Sequence, residues 1–314
     1  MATSGTTLFT LTAGDLINKA MGKIGVKVAE AALEPSELQD GLDVFNMMIK
    51  AWAAQGLHLW AKTEGILFLD VGKTDYFLGP AGDEATRFDD FIGTTSTAAH
   101  ITTDVIITVT STTGMVAADT VGVELDDNTR HWTTIVTVDS PTQITITAGL
   151  PSASKSGSSV FTFTTLIDRP NRVLSCRRKT FSQDDEIPVI KWSRQQYFNQ
   201  VNKFSQGTVV NCYYSPQLDN GRMYVWQTAS SVDDLLLFTF ERQLEDILIG
   251  DDNVDFPSEW LQAIVYNLAA LLVDDYDTPL AKADRIVQKA NQFLDDILGW
   301  DEEMTSLNLQ PDFD

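Results

Sequence analysis

Histidine, cysteine and paired carboxylates are the residues with which this chain could do acid–base, nucleophilic or metal chemistry. The three histidines, His58, His100 and His131, fall in different segments with no ligand spacing between them. His58, between Leu57 and Leu59, reads as a packed or capping residue, and His131, beside Trp132, as a strand residue. Cys176 and Cys212 are too few for a disulfide framework and lack metal-site spacing, so they read as small buried or strand residues. Acids are plentiful, 44 Asp and Glu in all, which makes any chosen pair uninformative. The carboxylate separation that glycoside hydrolysis needs is a property of three dimensions. Asp184-Asp185-Glu186 and Asp251-Asp252 read as solvated turns. There is no nucleophile elbow, phosphate-cradling glycine loop, zinc motif or nucleotide fingerprint. The expectation is therefore no catalytic, cofactor-binding or metal residue, and no enzyme. Tyr213-Tyr214, Tyr224 and Trp226 could stack single-stranded nucleic acid, but their strand alternation beside apolar residues favours core packing.

Charge narrows the partners. The net charge of −22 opposes any protein that grips nucleic acid by neutralising phosphates. Residues 233–314 hold 20 acidic and 4 basic side chains, whereas residues 168–227 hold 9 basic and 5 acidic ones. Such asymmetry suits solubility, or an oligomer whose subunits meet through opposite patches. No apolar run reaches the roughly 18 residues of a membrane span. Met1–Thr7 offers neither a basic region nor a long apolar stretch, so synthesis in a cytoplasm is expected.

The elements that would position these residues begin with two helices. Thr12 caps the first, which runs to Val26 with Asp15 close to a capping box and Leu16, Ile17, Ala20, Met21 and Ile24 as its stripe. The second starts at Pro35-Ser36-Glu37, carries Leu38, Leu42, Phe45, Met48/Ile49 and Trp52, and stops at Gly56. Near the other end, Asp255-Phe256-Pro257-Ser258-Glu259-Trp260 launches a helix to about Asp274. There Pro257 takes the first helical position and Glu259 faces the positive helix end. A last helix opens at Thr278-Pro279 and closes at Gly299. Between them, residues 94–165 contain 20 threonines in period-two patterns such as Gln143–Thr147, an all-β signature.

The expected fold class is α+β: a helical bundle built from both chain ends, a central β region, and an inserted all-β domain of sandwich or barrel type. The boundaries are 1–64 and 251–300 for the helical halves, 65–87 and 167–250 for the central β region, and 88–166 for the insertion. Residues 301–314 form an extended acidic tail.

In this order the pieces resemble the head-to-tail adaptors of short-tailed bacteriophages, also called packaged-DNA stabilisation or tail accessory factors. The resemblance rests on Leu42…Phe45-Asn46-Met47-Met48-Ile49-Lys50-Ala51-Trp52 and Arg169-Pro170-Asn171-Arg172-Val173. It continues in Tyr213–Leu218 with Gly221–Trp226, and in Asp255–Trp260 with Tyr266-Asn267-Leu268-Ala269. It covers most of the chain outside 88–166. Trp52, Pro257, Glu259, Trp260 and Asn267 are its structural signature. It implies a virion protein at the head-to-tail interface, made in the host cytoplasm, in a ring of about twelve copies. Such a ring docks under the portal, prolongs the channel, helps retain packaged DNA and carries a downstream tail or nozzle protein. Double-stranded DNA would pass through without sequence-specific binding. Met304, Leu307, Leu309 and Phe313 of the tail are the expected portal contacts. The competing expectations are an outward-facing glycan or host-surface module and a carboxylate-based cell-wall hydrolase.

Overall fold

The computed structural model describes residues 5, 9–26, 33–55, 59–183 and 185–300. The fold is mostly β, with 32% of the described residues in strands or bridges and 27% in helices. It divides into two compact units, one spanning Lys62–Gln243 and the other drawn from the chain on either side of it. This corrects the expected α+β class organised around a helical bundle from both chain ends. Helical periodicity announces itself over long segments, whereas most strands here are too short for a convincing pattern. A reading by periodicity therefore overweights the helices.

The α-helices among the described residues are α1 (Ala13–Ile24), α2 (Pro35–Gln55), α3 (Arg194–Asn199), α4 (Leu261–Leu272) and α5 (Leu280–Trp300). All but α3 belong to the flanking unit. Thr12 and Asp15 start α1 with a reciprocal capping box: Thr12 Oγ1 accepts from the Asp15 N–H at 3.2 Å, and the Asp15 carboxylate accepts from the Thr12 N–H at 3.4 Å. Gly25, at φ 91°, ends the helix in the left-handed conformation that glycine adopts at least cost. The apolar stripes of α1 and α2 are buried in one cluster with α4. α4 buries Leu261, Ala263, Ile264, Val265, Leu268, Ala269 and Leu272, too much of its surface for a helix with one wet face. Helices alone do not close this core. Leu244 and Ile247, from the non-helical stretch before α4, fill part of it. Asn46 of α2 fixes that stretch, donating to the Ile247 carbonyl at 2.8 Å and accepting from its N–H at 2.9 Å. Gly56, the expected stop of α2, lies outside the described residues, and α5 continues through Gly299 to Trp300.

In the other unit, β1 (Lys62–Phe68), β2 (Asp75–Leu78) and β3 (Ala85–Arg87) come first. The threonine-rich block follows as β4 (Ile92–Thr95), β5 (Ile106–Thr108), β6 (Thr120–Glu124), β7 (Arg130–Ser140), β8 (Gln143–Ile146) and β9 (Ser159–Phe163). Then come β10 (Arg172–Thr180), β11 (Asp185–Lys191), β12 (Gln206–Gly207), β13 (Asn211–Ser215), β14 (Gly221–Trp226), β15 (Thr228–Ala229) and β16 (Asp234–Glu241). The main sheet has the order β2-β14-β13-β11-β10-β16-β1-β3. Its two edge strands, β2 and β3, are joined through residues 79–84 alone, so the sheet must curl until its edges approach. Tyr76, Cys176, Cys212, Met223, Phe238 and Phe240 fill the concave side. The threonine-rich strands form a second sheet, β4-β9-β6-β7-β8-β5. A Ser96–Val109 bridge brings its edges together, with Thr97 N–H on Thr108 O at 3.0 Å and Thr110 N–H on Thr95 O at 2.9 Å. It is a near-closed barrel around Ile107, Val121, Ile135, Ile144 and Val160.

The two sheets are joined by aromatic packing. Phe161, Phe163 and Trp132 of the barrel meet Ile66, Phe68, Leu235 and Leu237 of the main sheet, with Phe68 and Phe163 stacked at 5.7 Å. Asp90, between β3 and β4, pins this joint by accepting from the N–H and hydroxyl of Thr165 at 2.8 and 2.9 Å and from the Thr164 N–H at 3.2 Å. Burial alone would raise its pKa, but the bonds from Thr165 and then Thr164 outweigh it and hold Asp90 below its ordinary 3.8. A depressed carboxylate stabilises the fold fully above its unfolded pKa and loses that contribution as pH falls through its folded value. The melting temperature should therefore drop more steeply below pH 3.8 in the natural chain than in Asp90→Asn. At neutral pH that variant should cost about 1 kcal/mol, less than the roughly 1.5–3 usual for charged hydrogen bonds because the half-buried carboxylate is partly screened by water. Thermal melts across this acid range check both statements. Among the described residues no helix is long and apolar enough to cross a membrane.

Candidate functional site

The structure gathers some of the expected signature residues and scatters others. Pro257 is not the first helical residue. At φ −60° and ψ 153° it stays extended, and a 3-10 turn over Ser258–Trp260 leads into α4. Proline fixes φ only, so ψ was free to choose the extended form. Glu259 is exposed in that turn. Trp260 is fully buried, with ring centroids of Trp52, Trp60 and Phe256 at 5.6, 4.8 and 5.8 Å. Asn267 stands away from this cluster and ties α4 to α5, its amide donating to Ala263 O at 2.9 Å and to Ala290 O at 3.1 Å. Asn267→Ala should cost about 1 kcal/mol, the net worth of such a bond, read from urea unfolding. Trp52 and Trp260 thus belong to the core of the helical unit, whereas Glu259 stays on its surface. Met304, Leu307, Leu309 and Phe313 lie outside the described residues, as does His58.

Several other titratable groups are engaged. His100 is buried, with Nε2 3.3 Å from the Thr108 N–H, and His131 Nε2 lies 3.2 Å from Ala148 O. Asp185 and Glu186 belong to β11 rather than to a turn, and Glu186 pairs with Arg177 at 3.2 Å. Asp252 does sit in a turn, accepting from the N–H groups of Leu248 and Ile249 at 2.9 Å. Lys73 pairs with Asp83 at 2.7 Å; burial opposes its charge, but Asp83 and then Asp70 outweigh it and raise its pKa. Cys176 and Cys212 were 36 positions apart in sequence, yet their Sγ atoms lie 2.9 Å apart inside the main sheet. The hydrogen bond from Cys212, then burial, pushes the Cys176 thiol up, away from the reactive thiolate. No group of three or more His, Cys, Asp or Glu side chains that could hold a metal occurs among the described residues. One polar cleft of about 450 Å³ collects Asp89, Asp90 and Asp168 beside Arg87. A hydrolase needs one carboxyl there with a raised pKa. Asp90 is instead held ionised, and Asp168 accepts from Arg87 at 2.8 Å.

Among the described residues, two surfaces combine apolar side chains with cations. The first is the convex face of β2, β14, β13 and β11. Tyr214 points into the concave side, its hydroxyl donating to Pro170 O at 2.5 Å, whereas Tyr213, Tyr224 and Trp226 share the opposite face, half-buried. Tyr213 and Tyr224 stack at 5.6 Å, and Trp226 stacks on Trp192 at 5.3 Å. Phe198 of α3 packs on Tyr224 at 5.7 Å and remains 47% exposed; Ile190 is 65% exposed. Arg222, held by Asp75 at 2.6 Å, lies over both Phe77 and Tyr224. The second surface is an apolar groove of about 550 Å³ in the helical unit, between α1, α4 and the chain at Phe9 and Leu11. The barrel spends its aromatic Trp132, Phe161 and Phe163 in the joint with the main sheet and exposes only aliphatic side chains such as Ile101, Ile106, Val116 and Val136 among the described residues. No protein-family model and no curated protein matches this chain.

Proposed function

We propose that the chain is a structural, ring-forming connector of the head-to-tail adaptor type, docking under a portal, extending a DNA channel and carrying tail components. One observation carries the reading: the convex aromatic face with Arg222 has the composition of an interface hot spot, rich in Tyr, Trp and Arg over an apolar centre. A ring joins one face of each subunit to a different face of the next. The mildly basic 168–227 stretch behind this face complements the acidic residues 233–314, which gives the head-to-tail contact two unlike partners. A wall rich in carboxylates also suits DNA that must slide without sticking.

The test is the mass of the purified chain, alone and with portal rings, by native mass spectrometry and electron microscopy. A closed ring, formed alone or on the portal, is the expected result. A chain that stays monomeric at high concentration and does not bind portal overturns the reading. The glycan-binding alternative predicts instead retention on a glycan surface by the monomer.

A further inference from the structure

The groove of the helical unit carries a cationic rim in a chain of net charge −22. Lys19 and Lys23 line it together with Leu261, Val265 and Tyr266. Lys23 and Lys289 both lie over the Tyr266 ring, at 5.1 and 5.6 Å. The groove is therefore an apolar floor with a positive rim, which fits a segment that is acidic and carries spaced apolar side chains.

The position of α5 says which segment. Tyr266 of α4 meets Phe293 of α5 at 5.1 Å, and Asn267 reaches Ala290, so the two helices run antiparallel. From Phe293 to its end at Trp300, α5 advances about 10 Å. It advances toward the start of α4, where Leu261 and Gln262 line the groove. The chain thus leaves α5 beside the groove. The residues that follow, 301–314, contain five acids, no base, and Met304, Leu307, Leu309 and Phe313. Extended, they span roughly 40 Å, ample to cross it.

We propose that residues 301–314 dock in the groove between α1 and α4 of their own chain, with Leu307 and Leu309 on Leu261 and Val265 and the carboxylates facing Lys19 and Lys23. Tethering makes the effective concentration of the segment about millimolar, so even a weak contact is occupied. An assembly partner that takes the same segment must first compete it out of the groove, which keeps the apolar residues covered in the unassembled chain. The inference stands whether or not that partner is a portal, so its failure is separate from failure of the connector reading.

Gly22 supplies the probe, because a Cβ placed there meets nothing within 4 Å and it lines the groove. The full chain carrying Gly22→Cys and Leu309→Cys is treated with a short bismaleimide; the native cysteines are buried. The control pairs Leu309→Cys with Met47→Cys, exposed on α2 and not part of the groove. The expected result is a 22–309 link within one chain, identified by peptide mass spectrometry, at roughly ten times the 47–309 yield. Adding Lys19→Glu and Lys23→Glu should lower it roughly fivefold, and high salt should lower it in the unreversed chain. Equal yields at 22 and 47 overturn the proposal. So does a 22–309 link found only between chains in a mixture of isotope-labelled and unlabelled protein, which would make the occupant a second copy.

Discussion

Trp260→Ala should cost the helical unit about 3–5 kcal/mol, the largest stability loss expected from any single side chain in it. The residue is fully buried, and three aromatic neighbours lie within ring-contact distance. Truncation removes the apolar transfer energy of the indole, leaves a cavity, and forfeits the edge-to-face contact with Trp60, worth about 0.5–1.5 kcal/mol, with two tilted ring contacts besides. Neighbouring residues relax poorly, because Trp52 is anchored in α2 and Trp60 donates its indole N–H to Asp255 O at 3.3 Å. Against the 5–15 kcal/mol of a typical domain, the loss is a large fraction of what holds the unit folded. Urea unfolding followed by tryptophan fluorescence and helical circular dichroism measures it. Trp260→Phe should recover about half the loss by refilling most of the volume. An unchanged midpoint for the alanine variant would show that the cluster does not stabilise the unit.

The second large effect concerns assembly. Ile190→Asp combined with Phe198→Asp should weaken subunit association roughly a thousandfold, since each buries a charge in the proposed interface and hot-spot losses run at about 2 kcal/mol or more. Both side chains are largely exposed in the single chain, at 65% and 47%. The monomer should therefore keep its melting temperature, with a stability change of about 0.5 kcal/mol per site. Sedimentation or mass photometry reads the oligomer, and a thermal melt reads the fold. Rings that persist in the double variant would place the subunit contact elsewhere.

Both predictions rest on placements that were only partly legible in the sequence. The Thr12–Asp15 capping box, the α1 and α2 stripes and the threonine-rich strands were readable because local periodicity and capping chemistry depend on neighbours three or four positions away. The aromatic pair Tyr213-Tyr214 was not readable in the same way. Period two says that the two rings face opposite sides of a strand, but it cannot say which side the sheet will close around. The curl of the main sheet decides that. It put Tyr214 inside and left Tyr213 with Tyr224, Trp226 and Trp192 on the convex face.

By itself the sequence determined the charge asymmetry, the helix starts that rest on capping chemistry, the β character of residues 94–165 and the scatter of its histidines. Only the tertiary structure decided that sheets rather than helices form the body of the protein. It also brought Cys176 to Cys212 and set Asp90 under Thr164 and Thr165. The groove with a lysine rim at the end of α5 is equally a product of packing. The physical reason is range: capping and periodicity act over a turn or a strand. Sheet order, curl and the juxtaposition of α1 with α4 come from burying apolar surface between segments far apart in the chain, more than two hundred residues in the case of α1 and α4, and no local pattern encodes them.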